Sequence, residues 1–166
     1  TVDELKKDVR EKLEKAADSK AENDRRVAAI DKAAENASMD IPEAMVEDRI
    51  DQMLREFAMR LEQQGMKFEQ YLQLSGGDMT KLRDQYRETA EKNVRTDLML
   101  EAVAKAEHIE VSDDDIRTEI AMMAQLYNAT PAQVQKIVRQ QGRLSDLAIT
   151  VMRRKTAKFI VDHLAE

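Results

Sequence analysis

Only four glycines and two prolines interrupt 166 residues, and that scarcity constrains the fold more than any other feature. Glycine and proline are the residues that most disfavour helix interiors, so nearly every segment of this chain can continue a helix once one starts. Hydrophobic residues make up 42% and charged residues 36%, enough apolar material for a core in a chain of single-domain size. Strands are not expected, and an all-α protein built from long helices in antiparallel hairpins is.

The breakers and caps place the helices. Thr1 and Glu4 fit a capping box that opens a helix running to about Asn36. Its apolar residues Val2, Leu5, Val9 and Leu13 form a narrow stripe, and Ala-rich positions continue it toward Val27 and Ile30. So little apolar width suits a connector or a projecting strut. Pro42 reads as the first residue of a second helix, reaching about Gln64 with Met45, Val46, Ile50, Met53, Leu54, Phe57 and Leu61 at helical spacing. Gly65 stops it. A short helix with Phe68, Tyr71 and Leu72 follows, and Ser75-Gly76-Gly77 breaks the chain again.

Asp78 caps a long helix that ends near Ala106, and His108 to Val111 connects onward. Ser112 with Asp115 caps a helix carrying Ile116, Ile120, Met123 and Tyr127. Asn128 and Pro131 separate this from a short helix with Val134, Ile137 and Val138. Gly142 closes that one, and a last helix runs from Ser145 to about Ala165. No repeat of 20 to 50 residues stands out. Neighbouring stripes across short breaks are expected to pack as helical hairpins.

The residue inventory argues against most chemistry. There is no cysteine, hence no disulfide, thiolate ligand or cysteine nucleophile, in keeping with a reducing compartment and a cytoplasmic default. His108 and His163 are the only histidines and form no i, i+4 ligand pair, so neither a metal nor any other cofactor is expected. Asp113, Asp114 and Asp115 lack the ligand alternation of a calcium loop and read as first-turn carboxylates that favour the helix dipole. Ser75 has no strand leading into it and reads as part of a helix C-terminal turn, not a nucleophile. No enzyme activity is expected.

Nucleic acid is a poor partner for a chain with 27 basic and 33 acidic residues interspersed, net charge -6. The basic run Arg153, Arg154, Lys155 and Lys158 is read as a solvated face. No apolar run approaches the roughly 18 residues needed to span a bilayer. The chain starts at Thr1 and not at a methionine, which fits a piece of something longer.

Ten methionines beside only 4% aromatics are the remaining oddity. Methionine is unbranched and polarizable and repacks against many apolar shapes, which suits promiscuous binding surfaces, although it also fills ordinary helical cores.

Over essentially the whole chain, an ordered series of motifs resembles the C-terminal domain of the trigger factor family of ribosome-associated bacterial chaperones. The series is Ile41-Pro42-Glu43-Ala44-Met45-Val46-Glu47, Ile50-Asp51, Gln64-Gly65-Met66, Tyr71-Leu72, Leu100-Glu101-Ala102-Val103-Ala104 and Ile109-Glu110-Val111-Ser112-Asp113. The resemblance implies a helical body with two arms forming a cradle that shields nascent or unfolded polypeptide without ATP. It divides the chain into a connecting helix (1–37), a first arm and body (41–106), and a second arm with the C-terminal helix (112–166). Polypeptide-binding candidates are Met53, Phe57, Leu61 and Met66 on one arm and Met122, Met123, Tyr127, Val134 and Ile137 on the other.

The family's ribosome-docking and prolyl-isomerase domains lie outside these 166 residues, so ribosome contact is expected only through an absent domain and isomerisation not at all. Self-association is a further expected mode. The alternative function is a structural helical module that binds one folded partner or itself; a third reading, the helical core of a periplasmic chaperone-isomerase, shares the fold type.

Overall fold

A computed structural model describes residues 2–163, with side chains from Leu5 onward. Seven helices follow in order: α1 Val2–Asn36, α2 Glu43–Gln63, α3 Phe68–Leu74, α4 Met79–Ala106, α5 Asp113–Leu126, α6 Pro131–Gln140 and α7 Leu144–His163. Among the described residues the protein is all-α, as expected. The capping box expected at Thr1 and Glu4, and the end of the last helix near Ala165, lie outside the described residues.

Helix ends follow local chemistry closely. Gly65, at φ +79°, takes the left-handed conformation that a Cβ disfavours. That geometry lets the Gly65 amide donate to the Glu62 carbonyl and the Met66 amide to Leu61, both at 2.9 Å, closing the last carbonyls of α2. The same paired bonds recur after α3 at Gly76 and Gly77, after α5 at Asn128 and Ala129, and after α6 at Gly142 and Arg143. His108, also at positive φ, ends α4 and permits Ile109 to donate to Ala104 at 2.8 Å.

Starts are equally local. Ser112 and Asp115 exchange capping bonds at α5, and Thr130 and Gln133 do so at α6, where Pro131 occupies the first turn. The Asp78 carboxylate accepts from the Lys81 amide at 3.1 Å. Pro42 departs from expectation: at ψ 135° it is extended and caps α2 from outside instead of being its first helical residue. Its missing amide proton is harmless in either place.

The chain divides into two compact units, 37–99 and 1–36 with 100–166, the boundary falling within α4. In the unit 37–99, Val46, Ile50 and Leu54 recur every fourth residue on α2 and pack with Leu82 and Ala90 of α4. Phe57 gathers Phe68, Tyr71 and Tyr86 around it, the Tyr71 ring edge-on with centroids 4.9 Å apart. Beside this core, Arg83 bridges Glu47 and Asp51, Arg87 bridges Glu43 and Glu47, and Arg49 pairs with Asp97. Hydrogen bonds from Arg83, then Arg87, hold the Glu47 carboxyl below its ordinary range. From Arg83 to Arg87 on α4 the partner carboxylates step back along α2, from Asp51 and Glu47 to Glu47 and Glu43, so the two helices run antiparallel.

In the other unit, Ile120 and Ala124 of α5, Val134 and Val138 of α6 and Leu147 of α7 form the core. α1 packs on α7; from Leu5 to Ala28 its residues are all exposed, including Leu5, Val9 and Leu13. Thr156 is fully buried on α7 and stays satisfied by donating to the Met152 carbonyl at 2.9 Å.

The basic run on α7 is not simply a solvated face. Arg153 pairs with Glu101 of α4 at 2.6 Å, Arg154 with Glu119 of α5, and Lys155 with Asp115 of α5 at 2.7 Å, while Lys158 pairs with Asp162 one turn along. Helical spacing supplied the cations, and packing supplied carboxylates opposite three of them.

Asp115 joins two of these devices. The hydrogen bond from Lys155, with those from the Ser112 amide and hydroxyl, brings its pKa from 3.8 down to about 2. A carboxyl depressed on folding stabilises above its unfolded pKa and loses that contribution as pH falls through the folded value. Asp115→Asn is therefore expected to lower the melting temperature at pH 7, and the gap to the parent should narrow between about pH 4 and pH 2. Thermal melts of both proteins across that window check it; a gap independent of pH would contradict the linkage.

Candidate functional site

α5, α6 and α7 enclose an open groove of about 500 Å³. Two turns shape it. Asn128 in the left-handed region reverses the chain after α5 within four residues, and Gly142 does the same after α6, so three short amphipathic helices meet at one end. Val134, Val138 and Leu147 form the buried floor. Met123 and Ala129, partly buried, close its sides, and Tyr127 and Ile137 stand at the rim, 69% and 51% exposed. Polar residues Glu119, Gln141, Arg143, Asp146 and Thr150 complete the edge.

The rim is close to electrically neutral by internal pairing. Arg143 lies 3.7 Å from Asp146, and the Glu119 carboxylate is taken by Arg154. The backbone at the α5–α6 turn is also occupied. The amides of Tyr127, Asn128 and Ala129 donate to helix carbonyls, and that of Thr130 donates to the Gln133 side chain at 2.9 Å. What remains open is side-chain surface, mostly apolar. Such a site attracts apolar groups with little demand for one hydrogen-bonding pattern.

Four of the nine sequence-predicted binding residues, Met123, Tyr127, Val134 and Ile137, meet in this groove. Met122 does not line it; it is exposed on another side of α5. The other four lie in the unit 37–99. Leu61 is only 7% exposed, Met53 packs on the core and accepts a weak bond from the Asn93 amide at 3.9 Å, and Phe57 is held among three rings. Met66 is half-buried, and its amide closes the end of α2. Met53, Leu61 and Phe57 are thus engaged in the packing of their own unit.

Sequence reasoning passed over Ala129, Val138, Leu147 and the polar edge as groove residues. Val138 was legible as the partner of Val134 four residues on; Leu147 was not, because its place depends on how α7 turns back.

Among the described residues, no cluster of three metal-binding side chains exists. His108 terminates α4, and the His163 ring lies 2.8 Å from the Phe159 carbonyl at the end of α7. No helix among the described residues is long and apolar enough to cross a membrane. The feature that stands out is an open apolar groove on helical hairpins.

A family model described as the C-terminus of bacterial trigger factor protein matches residues 1–162. The chain therefore belongs to the trigger factor C-terminal domain family. Trigger factors of Halalkalibacterium halodurans and Geobacillus kaustophilus are 42% and 45% identical to it over 163 residues, 98% of this chain but 38% and 37% of theirs. The chain thus spans less than two fifths of these relatives. A solved structure of trigger factor domains from Thermotoga maritima shares the fold, with TM-score 0.62 and 19% identity over 84% of this chain and 81% of that one. The matched family model describes the C-terminus of these proteins.

Proposed function

We propose that this chain is a chaperone domain that holds unfolded or nascent polypeptide without ATP, using the groove between α5, α6 and α7 as a principal contact. The observation that carries this reading is the groove itself: an apolar floor, a methionine wall and two half-exposed apolar residues at the rim. Family membership supports the chaperone class. In this reading residues 1–37 serve as the connecting helix, 41–106 as a first arm and body, and 112–166 as the second arm with the C-terminal helix. Partners are unfolded segments and, by self-association, further copies of the chain; ribosome contact belongs to a part of the longer relatives that these residues do not cover. The setting is the cytoplasm.

Binding is weak and fast by design of the surface. A disordered client gives up chain entropy on binding, and a groove of this size gains from only one or two side chains at a time. Several such contacts along a client add avidity, provided the geometry lets them engage together. Mixed charge over the rest of the surface keeps the unloaded chain in solution.

Near-stoichiometric chain is expected to suppress light scattering from a diluted, chemically denatured protein. Chemical-shift changes on adding a permanently unfolded polypeptide should concentrate at Met123, Tyr127, Ala129 and Ile137. Unchanged scattering together with unchanged shifts would overturn the proposal. Tight binding to one folded protein with indifference to unfolded chains would favour the structural-module reading.

A further inference from the structure

Met123 is the one groove-lining side chain whose chemistry can be changed by a mild oxidant, and we infer that its reversible oxidation to the sulfoxide switches off apolar binding in the groove. This inference rests on the proposed client site.

The thioether occupies a wall position on α5, one turn before Tyr127, beside a floor of Val134, Val138 and Leu147. None of those three side chains has a hydrogen-bond donor. Met123 is only partly buried and faces an open groove, so an oxidant of water-like size reaches it. Met122, the next residue, is 45% exposed but does not line the groove. It is a built-in control: more open to oxidant than Met123, on the same helix, with no part in the floor or walls. Met99 marks the other extreme, buried and shielded.

The reaction with hydrogen peroxide is a two-electron oxygen transfer. The sulfur lone pair attacks one peroxide oxygen, the O–O bond breaks, that oxygen stays on sulfur, and the remaining oxygen leaves as water after proton transfer. The thioether is oxidised to a sulfoxide and one peroxide is reduced. The product is polar and a strong acceptor. When an apolar client residue closes the groove, this oxygen loses water over a floor without donors, the donors of the lining (Tyr127, Gln141, Arg143 and Thr150) standing at the rim, so the occupied state is disfavoured. A thiol-dependent sulfoxide reductase removes the oxygen again as water while two thiols are oxidised to a disulfide, which restores the thioether and makes the switch reversible.

The experiment uses the whole chain, Met123→Leu and Met122→Leu, each treated with graded hydrogen peroxide and compared with its own untreated form. Sulfoxide at each methionine is quantified by peptide mass spectrometry. Binding is read with a fluorescent apolar peptide free of Met, Cys and Trp. The parent and Met122→Leu are expected to lose about tenfold in affinity as Met123 is converted, and reductase treatment should restore it. Met123→Leu should change by less than about twofold, since leucine preserves apolar volume and has no sulfur.

An equal loss in Met123→Leu, or affinity that persists in a parent whose Met123 is converted, overturns this inference alone. Met123 left unoxidised at doses that convert Met122 overturns it as well. An untreated parent that binds no peptide overturns the client-site reading and this inference together, a result visible before any oxidant is added.

Discussion

Tyr127→Asp combined with Ile137→Asp is expected to weaken binding of an unfolded apolar peptide by at least about thirtyfold, with the fold intact. Each native residue is more than half exposed, so neither contributes much to the free chain's stability. On client binding each covers apolar surface worth roughly 1 to 2 kcal/mol, and a carboxylate in its place must be desolvated without a partner. Two such losses give the stated factor at about 1.4 kcal/mol per decade. Fluorescence titration gives the affinity and far-UV circular dichroism with a thermal melt verifies the fold. A double variant that binds as the parent does would remove the groove from the client site, and aspartates placed at Leu61 would not be an equivalent test because they would unfold the surrounding unit.

Ile50→Ala is expected to destabilise the unit 37–99 by about 3 kcal/mol, more than any exposed apolar substitution in the chain. Ile50 is 0% exposed and sits between Val46 and Leu54 against Leu82 and Ala90 of α4. Removing its branched chain forfeits transfer free energy and leaves a cavity that the neighbouring helices fill only in part. The flanking pairs of Arg83 and Arg87 with Glu43, Glu47 and Asp51 do not compensate, because part-exposed ion pairs each contribute little. Urea unfolding reads the total change, and amide hydrogen exchange along α2 assigns it to this unit. Protection of the Val46 to Leu54 amides equal to the parent's would contradict this account of the core.

Much of the candidate site was legible from residues alone. Met123 on α5 and Tyr127 at its C-terminal cap lie one turn apart, and Val134 and Ile137 share the next short helix, so their proximity needs only a tight turn, which Asn128 and Pro131 announce. Leu61 and Phe57 carry the same signal of apolar residues at helical spacing, yet one is buried in its own unit and the other is locked among aromatic rings. Periodicity tells which face of a helix is apolar but not what covers it. Nor does it distinguish Met122 from Met123, adjacent in sequence but divided by a turn of about 100° around α5.

The basic run on α7 teaches the same lesson in electrostatics. Its four cations were visible as a cluster, but Glu101, Glu119 and Asp115 come from segments 35 to 52 positions earlier and reach α7 only through packing.

By itself, then, the sequence determined the seven helices of the described residues and nearly all their ends, because capping, left-handed C-termini and i to i+4 bonding act within a few residues of one another. Only the tertiary structure decided which apolar side chains stay open to a client and which carboxylate answers each cation. Burial and ion pairing are set by residues brought together from distant parts of the chain, and local propensity carries no record of those partners.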